Sequence, residues 1–333
     1  MGYEPRATSR EPRAKLRLGP ASSSCPPARL SVCQPAQLPI CPTARVPRLL
    51  ITGGTGTFGG TIARQLAESG VTGKALVRGP DRAESLSDLG FEIVAGDLTE
   101  PESLPAAIDG VDRILLWSGN DPHQVAAQRT LIDAAVAAGV RHVVMVSAHS
   151  AGLTPPVSFG VAHHAIEEQV QRSGLSWTIV RPYLFMQNFV RFALKIVSRG
   201  KVIAPVNDAG VAMVDMHDVA AVAVRALTED HHVDKTYEVS GPEALSFARA
   251  THIISHVTGK QVTHINPPRI LTGLLLKTMT DLSSREIPLV LQLFDSIRAG
   301  DQDRVTDVFA QVVGQIPRTF DDYVREHVEV FGG

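Results

Sequence analysis

The chain has 333 residues, a formal net charge of −2, 44% hydrophobic content and only 5% aromatic content. That suffices for a substantial core in one large domain or two smaller ones, and the near-neutral charge argues against nucleic acid or an anionic membrane as partner. The apolar run 271–276 is short and followed by Lys277, far from the ~20 residues that span a bilayer, so no membrane partner is expected.

Residues 1–47 are rich in Pro, Arg and Ser and carry seven basic residues against Glu4 and Glu11. Such a segment has little to bury and is expected to be a disordered, dispensable extension. All three cysteines, Cys25, Cys33 and Cys41, fall inside it. The remainder therefore has no disulfide or thiol chemistry, which fits a reducing, cytoplasmic location.

Folded sequence begins at Arg48. Leu49, Leu50 and Ile51 predict a short buried strand, and apolar residues at helical spacing over 62–68 predict a helix. Between them run Thr52, Gly53, Gly54, Thr55, Gly56, Thr57, Phe58 and Gly59. The run fits G-x-G-x-x-G at Gly54, Gly56 and Gly59, and also G-x-x-G-x-x-G from Gly53. A glycine turn between strand and helix aims backbone N–H groups at an anion and lets a pyrophosphate approach closely. A dinucleotide site over 53–59 is expected.

The next strand, 74–78, ends at Arg78, 19 positions past Gly59, where an acid would suit a ribose 2′-hydroxyl and an arginine suits a 2′-phosphate. Arg82 adds charge one helical turn on. NADP(H) is therefore expected over NAD(H). Further strands are predicted at 92–95, 113–117, 142–147 and 177–181, with helices such as 125–138 and 163–173 between them. Short apolar strands alternating with helices imply an α/β fold, a Rossmann-type doubly wound parallel sheet over 48–182. Over 183–333 the alternation loosens into a helical run at 185–197, a strand at 201–204, helices near 218, 247 and 285, and a final helix capped by Thr319 and running to 330. This part of the 48–333 unit is expected to be mostly a smaller C-terminal α/β lobe that supplies the substrate pocket.

These residues resemble the NmrA-like group of atypical short-chain dehydrogenases. The likeness rests on the glycine turn, Arg78, Gly96-Asp97-Leu98, Ile166-Glu167-Glu168 and Ser173-Gly174-Leu175. It continues through Trp177-Thr178, Arg181-Pro182, Phe185-Met186-Gln187-Asn188, Tyr237, Gly241-Pro242 and Leu245-Ser246. The resemblance implies that Asp97 and Leu98 lie against the adenine, that Trp117 and Ser118 line the cofactor, and that the segment after Pro182 closes near the nicotinamide. Where ordinary short-chain dehydrogenases carry Tyr-x-x-x-Lys, the matching positions here are Phe159 and His163. Phenylalanine has no proton to give. His163 is left as candidate acid or ribose anchor, with Glu167 four residues on along the same helical face; a structural histidine at a helix start is the alternative. Ser147, after the fifth strand, sits where a substrate-polarising hydroxyl is expected. Tyr183, Phe185, Met186 and Asn188 are candidate substrate contacts.

No metal site is expected. Asp218 fits the first turn of a helix, and His231-His232 reads as solvent-exposed. Two functions compete. One is an NADPH-dependent reductase giving hydride to a conjugated small molecule of the quinone, enone, imine or azo type, acceptors that need little help from a protein acid. The other is a catalytically silent NADP sensor acting through protein–protein contacts.

Overall fold

The computed structural model describes residues 47–331, except 80–82, 120–122, 155, 157–159, 189–199 and 280–281. The extension 1–46, Arg82, Phe159 and most of the expected helix 185–197 thus lie outside the described residues. In chain order the elements are β1 (Leu49–Ile51), α1 (Thr57–Glu68), β2 (Gly73–Val77), α2 (Glu84–Asp88), β3 (Glu92–Ala95), α3 (Pro105–Ile108), β4 (Arg113–Leu116) and α4 (Gln124–Ala137). They continue with β5 (His142–Val146), α5 (Gly160–Arg172), β6 (Ser176–Pro182), β7 (Lys201–Ile203), β8 (Gly210–Val211), α6 (Met216–Thr228) and β9 (Lys235–Val239). Last come β10 (Leu245–Ser246), α7 (Phe247–Thr258), β11 (Thr263–Ile265), α8 (Arg269–Met279), α9 (Glu286–Ala299), α10 (Val308–Val313) and α11 (Phe320–Glu326).

Seven strands form one sheet in the order β3-β2-β1-β4-β5-β6-β9, every neighbouring pair parallel. The order reverses between β1 and β4, which opens a crevice at the carboxyl ends of those strands. β1, β4 and β5 are buried along their whole length, as strands covered on both faces must be. On one face α1 turns Phe58, Ile62, Ala63 and Leu66 into a core shared with α6, through Val219, Ala220, Ala223 and Leu227. On the other, α4 and α5 pack Leu131, Ile132, Ile166 and Val170 against Ile114, Val143, Met145 and Ile179.

The chain after Pro182 divides its contributions. Residues 216–239 return to the sheet as α6 and the edge strand β9, a strand with no counterpart in the sequence reading. Most of the rest builds a second core from Met186, Val202, Met213, Phe247, Ile254, Phe294, Phe320 and Tyr323, beside the small pairs β8-β10 and β7-β11, while α10 packs Phe309 and Val313 into the first core. The final helix has the full capping box between Thr319 and Asp322 but stops at Glu326 rather than reaching 330. At the turn into β9 the structure corrects one expectation. His231 is exposed, but His232 is buried, held between Tyr237 and Glu229.

Candidate functional site

The glycine turn sits at the carboxyl end of β1, and its glycines are demanded sterically. Gly53 has φ +68°, and a β-carbon there would lie 2.7 Å from the carbonyl oxygen of Trp117, in the left-handed region that glycine enters without penalty. A β-carbon on Gly59 would run into the carbonyl oxygen of Gly53. Gly54 is buried, while Thr55, Gly56 and Thr57 face solvent. Gly56 is the N-cap of α1 and offers no side-chain cap, so among the described residues the first-turn N–H groups and the positive end of the helix dipole point outward without a side-chain acceptor. A dinucleotide pyrophosphate fits this cradle.

Thr52 fixes the crevice from beneath. Its Oγ1 lies 3.0 Å and 2.8 Å from the carbonyl oxygens of Leu115 and Trp117 and accepts from the Trp117 N–H at 3.0 Å. Above it stands an aromatic wall from three elements. Phe58 meets Trp117 edge-on at 5.0 Å between ring centroids and tilts against Phe185 at 5.3 Å. Ser118, next to Trp117, accepts from Gln128 Nε2 of α4 at 2.7 Å. Gln128 was not singled out from sequence, since nothing in a helical glutamine marks its reach to a strand end.

Arg78 is exposed just past β2. Asp97, just past β3, folds its carboxylate back onto the Thr99 N–H and hydroxyl, both at 2.8 Å. That backbone bond, helped by the Arg78 charge, holds Asp97 below the usual carboxylate range. Leu98 is half-buried and packs against the α4/α5 core.

At the ends of β5 and β6 the polar side chains are tied to one another. Ser147 Oγ donates to Glu167 Oε1. Arg181 grips the same carboxylate with Nε on Oε1 at 3.0 Å and Nη2 on Oε2 at 2.6 Å. Arg181 also lies 3.7 Å from Glu238 of β9. The i,i+4 spacing does bring Glu167 and His163 to one face of α5, but the carboxylate's hydrogen bonds go to Ser147 and Arg181. His163 itself is 3% exposed, and burial pushes its pKa down to about 4 against the opposing charge of Glu167. Near neutral pH it is an uncharged imidazole.

Pro182 closes β6 and is buried. Tyr183 follows, buried and stacked on the His149 ring at 3.9 Å; His149 Nε2 donates to the Asp301 carbonyl at 2.7 Å. Burial, with the nearby Glu238 charge, pushes the Tyr183 phenol up to about 12. Met186 points into the second core, whereas Phe185 stays half-buried against Phe58. Asn188 is half-buried at the end of the described segment. Gln187 between them donates to Asp215 Oδ1 at 3.0 Å and accepts from the Met216 N–H at 3.1 Å. Asp215 is the N-cap of α6 and accepts from the His217 N–H at 2.8 Å. Asp218 lies in the first turn, as expected.

A family model described as the NmrA-like family matches residues 46–324. An NAD(P)H azoreductase of Xenophilus azovorans is 36% identical over 294 residues, covering 85% of this chain and 99% of the relative. A (4-alkanoyl-5-oxo-2,5-dihydrofuran-3-yl)methyl phosphate reductase of Streptomyces griseus is 36% identical over 286 residues, covering 85% and 99%. Among solved structures, an NADPH-dependent quinone oxidoreductase of Escherichia coli in complex with NADPH superposes with a TM-score of 0.78 at 25% identity, over 84% of this chain and 99% of that one. The chain belongs to the NmrA-like family of NAD(P)-binding, Rossmann-type proteins, and the three relatives just named are an azoreductase, a phosphate-ester reductase and a quinone oxidoreductase.

Proposed function

We propose that this chain is an NADPH-dependent reductase that passes hydride to a conjugated small-molecule acceptor of the quinone, enone, imine or azo class. The observation that carries this reading is the state of the polar side chains around the crevice. Ser147 is committed to Glu167, His163 is neutral, and the Tyr183 phenol holds its proton tightly. Among the described residues of the crevice, no candidate acid is poised to deliver a proton near neutral pH. A simple ketone needs such an acid at its oxygen; a quinone or azo acceptor takes hydride readily and draws its proton from solvent. The bound nicotinamide supplies the hydride.

The chain's own part is to bind and to exclude water. The turn 53–59 holds the pyrophosphate, and Arg78 takes the 2′-phosphate, which favours NADPH over NADH. Asp97 and Leu98 border the adenine. Trp117, Ser118 and Pro182 border the nicotinamide half, with His163 entering as a neutral hydrogen-bonding group. Phe185 and Phe58 offer the acceptor an apolar wall, with Tyr183, Met186 and Asn188 behind it. The relatives named as an azoreductase and a quinone oxidoreductase support the acceptor class.

Purified protein is to be mixed with NADPH and a panel of quinones, enones, imines and azo dyes while nicotinamide absorbance is followed. Turnover with at least one class, and none with simple ketones, is expected. Tight NADPH binding with no turnover across the panel would replace the reductase with the sensor.

A further inference from the structure

The amino-terminal edge of the sheet, opposite the glycine turn, carries a second chemical feature. Glu229 closes α6, and His231 and His232 follow in the turn that leads into β9. Glu229 Oε2 lies 3.4 Å from His231 Nε2 and 3.1 Å from His232 Nε2, and one ligand atom from each of the three residues lies within 4.8 Å of the others. The two imidazoles stand side by side, 4.1 Å between centroids. We propose that Glu229, His231 and His232 form a binding site for one borderline divalent transition-metal ion, of which Zn2+ is the test case.

The spacing fits such an ion. Zn–N and Zn–O bonds of ~2.0–2.2 Å in a tetrahedron set neighbouring ligand atoms about 3.3 Å apart. Two of the separations are already there. Two imidazoles and one carboxylate select zinc and its first-row neighbours over Mg2+ or Ca2+, which want oxygen alone. His231 is exposed, so the third protein ligand faces solvent and the fourth position falls to water.

The surroundings are built to orient these ligands. His232 Nδ1 lies 2.8 Å from the Tyr237 hydroxyl, an outer partner of the kind that fixes which ring nitrogen faces a metal. A metal on Nε2 would replace the hydrogen that Nε2 donates to Glu229, and the ring's hydrogen would move to Nδ1, which then donates to Tyr237. The His232 backbone is anchored too, its carbonyl accepting from Thr178 Oγ1 at 2.7 Å, and that hydroxyl lies 2.9 Å from His142 Nε2. Arg225 binds Glu229 through Oε1, which leaves Oε2 to the ion. Arg113 pairs with Asp230 and donates to the carbonyls of Leu227 and Glu229, so its charge is spent beside the site. Tyr237 belongs to a motif that the dinucleotide site does not use.

The full-length protein is to be titrated with ZnCl2 by calorimetry, and with Co2+ by absorption because the extension carries Cys25, Cys33 and Cys41. Expected is one equivalent whose Co2+ form lacks the charge-transfer band of a thiolate ligand, with a rise in Tm on the order of 4 °C at a hundredfold excess over Kd. His231→Ala, at an exposed position, and Glu229→Gln should each weaken that equivalent at least ~10-fold, as losing a coordinating group requires. Tyr237→Phe should weaken it ~10–100-fold, and His252→Ala, at an exposed helix position, should not change it. Equal stoichiometry and affinity in wild type and His231→Ala would overturn the site, as would a Co2+ spectrum showing thiolate ligation alone. Each readout is independent of NADPH turnover.

Discussion

The Glu167 carboxylate takes both prongs of the Arg181 guanidinium, at 3.0 and 2.6 Å, while itself being only 3% exposed. The pair joins α5 to β6, and the Ser147 hydroxyl joins both to the end of β5. Arg181→Ala would leave a buried carboxylate without its counter-charge, a loss of about 3–5 kcal/mol. Arg181→Lys keeps the charge but loses the fork and should fall in between. Urea unfolding of the three proteins checks the order, and an alanine variant as stable as wild type would show that the pair contributes nothing.

Arg78 should govern cofactor choice. Its guanidinium is exposed at the end of β2 and free to form charge-assisted bonds worth ~1.5–3 kcal/mol with a 2′-phosphate. Arg78→Ala should therefore weaken NADPH about ten-fold or more and leave NADH nearly unchanged. Fluorescence titration of both nucleotides decides it. Equal weakening would assign Arg78 no part in discrimination.

Gly53 and Gly59 should resist even alanine. Gly53→Ala forces a side chain into a left-handed backbone, at about 1–3 kcal/mol, and sets its methyl against the Trp117 carbonyl. Gly59→Ala drives a methyl into the turn's own backbone. Both variants should lose NADPH binding and melt earlier, whereas Gly70→Ser, equally strained at φ +77° but at another turn with nothing within 4 Å of the position, should melt earlier yet bind NADPH normally. Normal nucleotide affinity in Gly59→Ala would mean that the turn can open at no cost.

Stability should depend on pH with a defined sign. His142 and His163 both have pKa values lowered by burial from 6.5 to about 4. Between those values the unfolded chain binds more protons, so stability rises with pH through the window, is complete above about 6.5 and is lost as pH falls toward 4. Asp218, raised by burial to about 6, acts in the opposite direction between 3.8 and 6, while His149 and His232, also lowered by burial, add to the effect of His142 and His163. His163→Gln should flatten the slope by up to ~1.4 kcal/mol per pH unit. Denaturation midpoints near pH 5 and pH 7 measure it, and an unchanged slope would mean that His163 is charged in the fold.

What could be read from the chain follows the range of the interactions. The strands β1, β2, β4, β5 and β6 were legible because strands covered on both faces are continuous apolar runs, and the half-buried edge strand β3 was legible from its apolar residues Ile93, Val94 and Ala95. β9 was not, because Lys235, Thr236 and Glu238 give an edge strand the look of a loop. The glycine turn could be found because its steric demands fall on neighbouring residues. The Ser147–Glu167–Arg181 cluster could not, since its members stand on three elements and meet only when α5 packs on the sheet. Helical spacing pointed Glu167 at His163, and a two-pronged cation across the interface outcompeted a neutral ring for its hydrogen bonds. His232 was misjudged for a similar reason. Its acidic neighbours suggested solvent, yet Tyr237 and Glu229 give its polar atoms partners inside.

The place of β9 carries a consequence for how the chain reaches its native state. Its partner β6 is complete at Pro182, but Lys235 must come back to lie beside Thr178 after the whole excursion through β7, β8 and α6. Closing so long a loop before the pairing repays it favours slow folding. Until then β6 offers an open row of backbone donors and acceptors, the kind of edge on which nascent chains associate. A fragment ending near residue 182 would keep that edge permanently, and it should aggregate where the full-length protein stays dispersed.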